Sequence, residues 1–338
     1  MTKLTKYLLL ILGFGIISLT ILVLKSQTLT SNPSPSPIIT PTPTTEEMTF
    51  IIAGDAMFGR AVYSQFHDDL KAAFENLGPN FFQGKDLALL NLEGPIVQNE
   101  FMPDTNPYNL IMKFPPQTIE VLKWLNINAT SLANNHTDNQ GQSALDFTRE
   151  TLSNAGINPI GDPQNKKDLV KIFSKKDQQI SIIAVNILAN TPELSETIKE
   201  QKKNNALVII FPHWGEEYQT THNQTQEKLA HSWIDSGADL IIGSHPHVIQ
   251  DTEVYQGKPI FYCLGNFLFD QTFSQNTQRG LVAAGKISQN KLFLELLPIK
   301  SVHLRLEPMQ GEEKDEIVNL LKKELGFEEN SQIIFNLK

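Results

Sequence analysis

The stretch DLIIGSHPHV, residues 239–248, decides the fold: a short apolar run stops at a glycine and a serine and is followed by two histidines held apart by a proline. The run reads as a β-strand, and the imidazoles stand where it ends. The same arrangement recurs along the chain. FIIAG ends at Asp55, LALLNL at Glu93, TSLAN at Asn134, Asn135 and His136, and LVIIFP at His213. In a parallel sheet the carboxyl ends of the strands share one edge, so these side chains converge on a single crevice.

Spacing between the runs supports that arrangement. Strands are expected at Thr49–Ala53, Asp86–Leu92, Asn128–Leu132, Ile180–Asn186, Leu207–Phe211 and Asp239–Ile242. Amphipathic helical stretches lie between most of them, as at Gly141–Ala155 and Thr225–Ser236. This alternation predicts an α/β fold with parallel strands and covering helices. Beyond Thr252 the apolar runs close up, at Val254–Tyr255, Pro259–Leu264, Gly280–Ile287, Lys291–Leu297 and Ser301–Glu307, with turns at Gln256-Gly257 and Gln289-Asn290. That part predicts antiparallel hairpins, followed by a helix over Glu312–Leu325 closed by Gly326.

The amino terminus has a different character. Tyr7–Leu24 is a run of eighteen uncharged residues, long enough at about 1.5 Å per residue to span roughly 27 Å of bilayer core. Lys3 and Lys6 before it favour a cytoplasmic residue 1–6 segment, although Lys25 weakens the asymmetry. The reading is a single-pass anchor over 7–24 in the cytoplasmic membrane, with the rest of the chain outside the cell membrane. A cleaved signal peptide is the alternative, and Lys25-Ser26-Gln27-Thr28 lacks the small-x-small pattern that cleavage favours. Residues 25–47 then form a Pro/Ser/Thr-rich linker, with prolines at 33, 35, 37, 41 and 43, an extended composition that cannot bury a core. Residues 48–338 form the folded domain.

Composition narrows the chemistry. A net charge of −9 disfavours a nucleic-acid partner, and the single cysteine, Cys263, excludes a thiolate metal cage. The carboxylates, amides and imidazoles at the strand ends suit divalent ions such as manganese, zinc or iron. Each residue also has a structural explanation: an aspartate after a strand commonly caps or turns the chain, and a buried histidine can simply be satisfied by a hydrogen bond. Four of the eight histidines (136, 213, 245 and 247) fall at strand ends, and this convergence favours a hydrolytic metal centre.

The strings GDAMFGR (54–60), NLEGP (91–95), LANNH (132–136), HWGEEY (213–218), GSHPHV (243–248) and LGNFLFDQ (264–271) resemble the motifs of CapA-type capsule or poly-gamma-glutamate synthesis proteins. The resemblance implies a calcineurin-like metallophosphoesterase fold, with layered sheets flanked by helices. It also implies a two-metal site, with Asp55 and His247 on one ion, Asn135, His213 and His245 on the other, and Glu93 bridging. His136 would be the general acid. Supporting groups would come from Asp138, Glu217, Asn266 or Asp270, and Arg60 would either meet an anionic substrate or lie on a helix surface. Three departures from the parent pattern stand out: Met57 replaces a histidine, Glu93 an aspartate, and Asn139 the aspartate of many CapA-like chains.

Two functions are compatible with these residues. One is an extracytoplasmic metal-dependent hydrolase or transfer enzyme acting on a phosphoester or on an anionic envelope polymer, in company with other capsule synthesis membrane proteins. The other is a non-catalytic accessory that guides or anchors such a polymer.

Overall fold

A computed structural model of the protein describes residues 47–98, 110–204 and 206–337. These lie within one compact unit, Thr45–Lys338. The expected anchor (7–24) and nearly all of the linker fall outside the described residues, and among those described no helix is long and apolar enough to cross a membrane.

The chain begins with β1 (Met48–Ala56), continues through α1 (Arg60–Phe66), β2 (Leu87–Leu92), α2 (Thr118–Trp124), β3 (Ala129–Ser131) and α3 (Gly141–Asn154), and reaches β4 (Asn158–Ile160). A second sheet follows, with β5 (Val170–Lys175), β6 (Gln178–Asn186), α4 (Ser195–Lys203), β7 (Leu207–His213), α5 (Gln224–Asp235), β8 (Leu240–Ile242), β9 (Thr252–Tyr255) and β10 (Lys258–Phe261). The chain then returns to the first sheet through β11 (Asn266–Leu268), β12 (Arg279–Ser288), β13 (Lys291–Val302) and β14 (Arg305–Pro308), ending with α6 (Gly311–Glu324) and β15 (Ile333–Asn336). The first sheet runs β14-β13-β12-β1-β2-β3-β4, with β11 on β1 and β15 on β13; the second runs β5-β6-β7-β8-β10-β9. β1 to β4 are mutually parallel, as are β6, β7, β8 and β10.

As the resemblance implied, the sheets are layered: two of them pack face to face. Phe50, Ile52, Leu87 and Leu89 of the first meet Ile180, Ile182, Leu207 and Ile209 of the second in a shared core. The intervening residues point outward: Ile51, Ala88 and Leu90 pack under α1, α2 and α3, while Ile183, Val208 and Ile210 pack under α4 and α5. Both faces of the central strands are therefore covered, which explains why their sequences are continuous apolar runs without alternation. The carboxyl ends of the central strands of both sheets open at the same edge.

Sequence and structure differ where turns lack their usual residues. The expected strand Ser301–Glu307 is the end of β13, a two-residue turn and the start of β14, because His303 and Leu304 have φ of 50° and 61°. A turn with both central residues at positive φ is normally marked by Asn-Gly, so His-Leu conceals it. The expected turn at Gln289-Asn290 is present, with φ of 52° and 60°. β4 and β5 were not anticipated: β4 is three residues with a central proline, and β5 is a largely exposed edge strand.

Close backbone approach fixes the edge that carries the strand-end residues. A Cβ on Gly54 would lie 1.9 Å from the Gly265 carbonyl oxygen, and one on Gly243 would lie 2.0 Å from that of Tyr262. Gly54→Ala must push β1 away from the turn before β11, where the Asp55 N–H donates to Gly265 O at 3.2 Å. We expect a destabilisation of about 1–3 kcal/mol. It is measured by urea denaturation against the wild type; equal stability of G54A and the wild type would contradict the expected contact.

Candidate metal centre

Asp55 lies at the end of β1, and Asn91 is its neighbour in β2. The Asn91 amide donates from Nδ2 to Asp55 Oδ1 at 2.8 Å and to Glu93 Oε2 at 3.2 Å, and His213 Nδ1 stands 3.3 Å from the same nitrogen. Asn91 Oδ1 accepts from Asn134 Nδ2 at 2.9 Å. Asn134 in turn accepts from the backbone N–H groups of His136 and Thr137 at 3.0 and 2.9 Å. One amide chain thus ties the ends of β1, β2 and β3 together. Asn91 shares a strand face with Glu93, two residues on, a spacing that could have identified it in advance.

The second sheet supplies the imidazoles. His213 ends β7, and the His245-Pro246-His247 loop follows β8 with His245 and His247 at φ of 102° and 59°. Such φ values are costly for non-glycine residues and persist only where surroundings enforce them. Here the enforcing contacts run from Asp55 Oδ2 to the His245 N–H, at 3.1 Å, and from Pro246 O to the Tyr218 N–H, at 2.8 Å. The His213 and His245 rings are 4.8 Å apart, and His247 lies 6.0 Å from His245. His247 Nδ1 is 2.9 Å from Asn266 Oδ1 and 3.5 Å from Asp55 Oδ2, and its Nε2 is 3.6 Å from Glu93 Oε1. Asn266 is thus the group that orients His247.

A coherent set of tautomers follows from these contacts. Asn139 Oδ1 accepts from the Met112 N–H at 2.7 Å and faces His136 Nδ1 at 2.9 Å, so that nitrogen carries the proton. His136 Nε2 is then bare and accepts from Asn135 Nδ2 at 3.1 Å. Asn135 therefore turns Oδ1 to His213 Nε2, 2.9 Å away. Ser244 Oγ, 3.0 Å from His213 Nδ1, selects the His213 tautomer by accepting or donating there. When it accepts, two lone pairs converge at Asn135 and His213, as adjacent ligands of one cation do.

Burial shapes the electrostatics. Asp55 and Glu93 are fully buried side by side. Loss of hydration pushes Asp55 up to about 6, and loss of hydration together with the Asp55 charge pushes Glu93 well above the carboxylate range. Burial lowers His136, takes His245 down to about 4 and holds His213 and His247 well below the ordinary imidazole value. Neutral imidazoles next to costly carboxylates, with Glu93 Oε1 and His245 Nδ1 lacking any hydrogen-bond partner, fit a bound cation. One ligand atom each from Asp55, Glu93 and His213 lie within 4.8 Å of one another, and so do one each from Glu217, His245 and His247.

Three residues take positions other than those expected. Asp138 accepts from Gln164 Nε2 at 3.1 Å instead of supporting His136, a role Asn139 fills because its amide oxygen lies beneath the ring. Arg60 is neither on a helix surface nor at the mouth of the crevice. It is 5% exposed, donates from Nε and Nη2 to the two Asp270 carboxylate oxygens and lies 5.5 Å from the Phe269 ring centroid. Asp270 is correspondingly engaged with Arg60 and the Ala61 N–H, not with an imidazole. Phe269 packs 4.6 Å from His247, so the Arg60–Asp270 pair acts as a buried floor beneath that ring. Met57 is buried in the outer core, its sulfur 3.0 Å from the Gly59 N–H, and supplies no ligand.

Comparison with known proteins matches residues 49–271 to the family described as "Bacterial capsule synthesis protein PGA_cap". The capsule biosynthesis protein CapA of Bacillus anthracis is 28% identical over 284 residues, covering 75% of this chain and 67% of the relative. The PGA biosynthesis protein CapA of Bacillus subtilis is 30% identical over 251 residues, covering 68% and 65%. A protein of Mycobacterium tuberculosis named "Probable polyglutamine synthesis accessory protein" is 22% identical over 276 residues, covering 70% and 72%. The matches thus span about two-thirds of the length of the Bacillus relatives. The matched span 49–271 contains every candidate ligand from Asp55 to His247, and the chain belongs to the PGA_cap family of bacterial capsule synthesis proteins.

Proposed function

We propose that the domain is a metal-dependent hydrolase or transfer enzyme in the synthesis of a capsule or poly-gamma-glutamate-type envelope polymer. It would be held outside the cytoplasmic membrane by the 7–24 segment and the 25–47 linker. The observation that carries this reading is the buried Glu93 carboxylate, with an unpartnered Oε1 that lies 3.6 Å from His247 Nε2 and 4.0 Å from His136 Nε2. Asp55, Glu93, Asn135, His213, His245 and His247 would hold two divalent ions of manganese, zinc or iron. When bound, such ions acidify water and neutralise charge at the attacked centre.

The remaining steps belong to the chain. Asn91 fixes both carboxylates by donating to each, and Asn266 and Ser244 set the rings of His247 and His213. His136 would handle the proton at the leaving group. Asn139 holds the proton on Nδ1 and leaves Nε2 to receive and return another, and its lowered pKa makes the protonated ring a stronger donor. A phosphoester or a polymer amide both need that proton on departure. A second reading, a polymer-guiding accessory without catalysis, is favoured by Met57, which leaves one metal position an imidazole short.

Two outcomes separate these readings. Replacing His136 by Gln is expected to lower turnover of a phosphodiester or poly-gamma-glutamate probe by about 10²–10⁴-fold while leaving metal content, read by mass spectrometry, unchanged. No turnover by the metal-loaded wild type on either probe would favour the accessory. The pH dependence has a definite sign. Asp55 is raised from 3.8 to about 6, so the metal-free fold gains from its protonated form at low pH and loses that contribution as pH rises through about 6. A cation replaces the proton. Manganese at a hundred times its dissociation constant is expected to stabilise the domain by about 2.7 kcal/mol at pH 7.5 and much less at pH 5, as read by thermal unfolding. Equal stabilisation at both values would contradict proton–metal competition.

A further inference from the structure

Met57 supplies no imidazole to the ligand set, and the chain brings another carboxylate, Glu217, to His245 and His247. Glu217 is exposed, in the loop after β7, and one of its carboxylate oxygens lies within 4.8 Å of a ligand nitrogen of both His245 and His247. That placement is enforced. The adjacent Tyr218, at φ 65°, donates its backbone N–H to Pro246 O at 2.8 Å, which docks this loop onto the loop carrying the two histidines. The Tyr218 ring lies 6.2 Å from that of His247 and inclined to it by 29°, and its hydroxyl accepts from Gln271 Nε2 at 3.1 Å. A second observation points to a ligand here: His245 is 6% exposed and its Nδ1 has no hydrogen-bond partner among the described residues. His247 Nδ1 is engaged by Asn266, so its Nε2 is the nitrogen left for coordination.

From this we infer that Glu217 is a direct metal ligand, joining His245 and His247 from the solvent side. The inference rests on the two-ion reading of the crevice. A carboxylate on the open side differs in one respect from an imidazole on a strand: it is hydrated and on a loop, so it can leave the ion when an anionic oxygen of a substrate arrives. A phosphate or carboxylate group of the substrate would take the place of Glu217, and the loop after β7 would sense its arrival.

The test is manganese binding by calorimetry and by electron paramagnetic resonance, on wild type, Glu217→Gln and Glu216→Gln. Glu216 is the neighbouring exposed acid, outside the His245–His247 group, and controls for net charge. We expect two ions per chain in the wild type and in E216Q. In E217Q one ion is expected to keep its affinity and the other to weaken on the order of tenfold or more, since even groups outside the ligand shell commonly change metal affinity by that much. Circular dichroism checks the fold of each variant. Two ions bound by E217Q with wild-type affinity overturn the role of Glu217 alone, as does loss of both ions from a folded variant. A wild type that binds no ion overturns the metal centre itself and this inference with it.

Discussion

The constraint on which the site depends is the burial of two carboxylates side by side. Asp55 and Glu93 have no exposure, sit at the ends of adjacent parallel strands and share one amide, Asn91, that donates to both. Two anions in such a place are costly, because the interior offers little solvation and each raises the energy of the other. Either a proton on Glu93, whose pKa burial and the Asp55 charge push well up, or a cation between the two relieves that cost. Arg60 is the cation whose field lowers Glu93, yet its guanidinium is bound to Asp270 and cannot also neutralise the pair. The histidines around the carboxylates are held neutral by the same burial. The buried carboxylates and neutral ring nitrogens that share this crevice are the donor types a divalent cation takes.

The two-sheet architecture makes that arrangement possible. In one sheet, ligands from adjacent strand ends lie along a line. Packing the second sheet against the first faces His213, His245 and His247 toward Asp55, Glu93 and Asn135 across the open edge. The close approaches at Gly54 and Gly243 belong to the same design. Each brings a strand end against the backbone carbonyl of its neighbour in the same sheet, where any side chain would push the paired strands apart. The strained φ values of His245 and His247 are tolerated because bonds to Asp55 and Tyr218 hold the loop in place.

Much of this was legible in the sequence because the central strands are buried on both faces. Their apolar runs are uninterrupted, so the first polar residue marks the strand end, and the strand ends are the site: Asp55, Glu93, Asn135, His136, His213, His245 and His247 are all brought to one edge. What the sequence concealed has physical causes. The layering of two sheets was legible only through the family motifs; which apolar runs pair in each sheet was not, since runs buried on both faces carry no alternation to tell one sheet from the other. The turn at His303-Leu304 uses positive φ without glycine or asparagine. Asp138 and Asn139 differ by one residue, and only the path of the backbone, with Met112 donating to Asn139, decides which of them reaches the His136 ring. Arg60 reads as a surface cation until Asp270, 210 residues away, is seen to bind it.

The buried Arg60–Asp270 pair shows how the family motifs at 54–60 and 264–271 act as one unit. Asp270 accepts from the Arg60 side chain and from the Ala61 N–H, at the first turn of α1. Four residues earlier Asn266 holds His247, and Phe269 between them lies against both the His247 ring and the Arg60 guanidinium. β11, which carries Asn266, is itself hydrogen-bonded to β1 beside Asp55. Asp55 and His247 are therefore positioned by the same short strand, from two sides. Loosening the Arg60–Asp270 pair would release Phe269 and tilt His247 with no ligand removed. The orientation of the His247 ring is thus set by groups that do not themselves stand among the candidate ligands, as outer-shell partners commonly orient the residues in front of them.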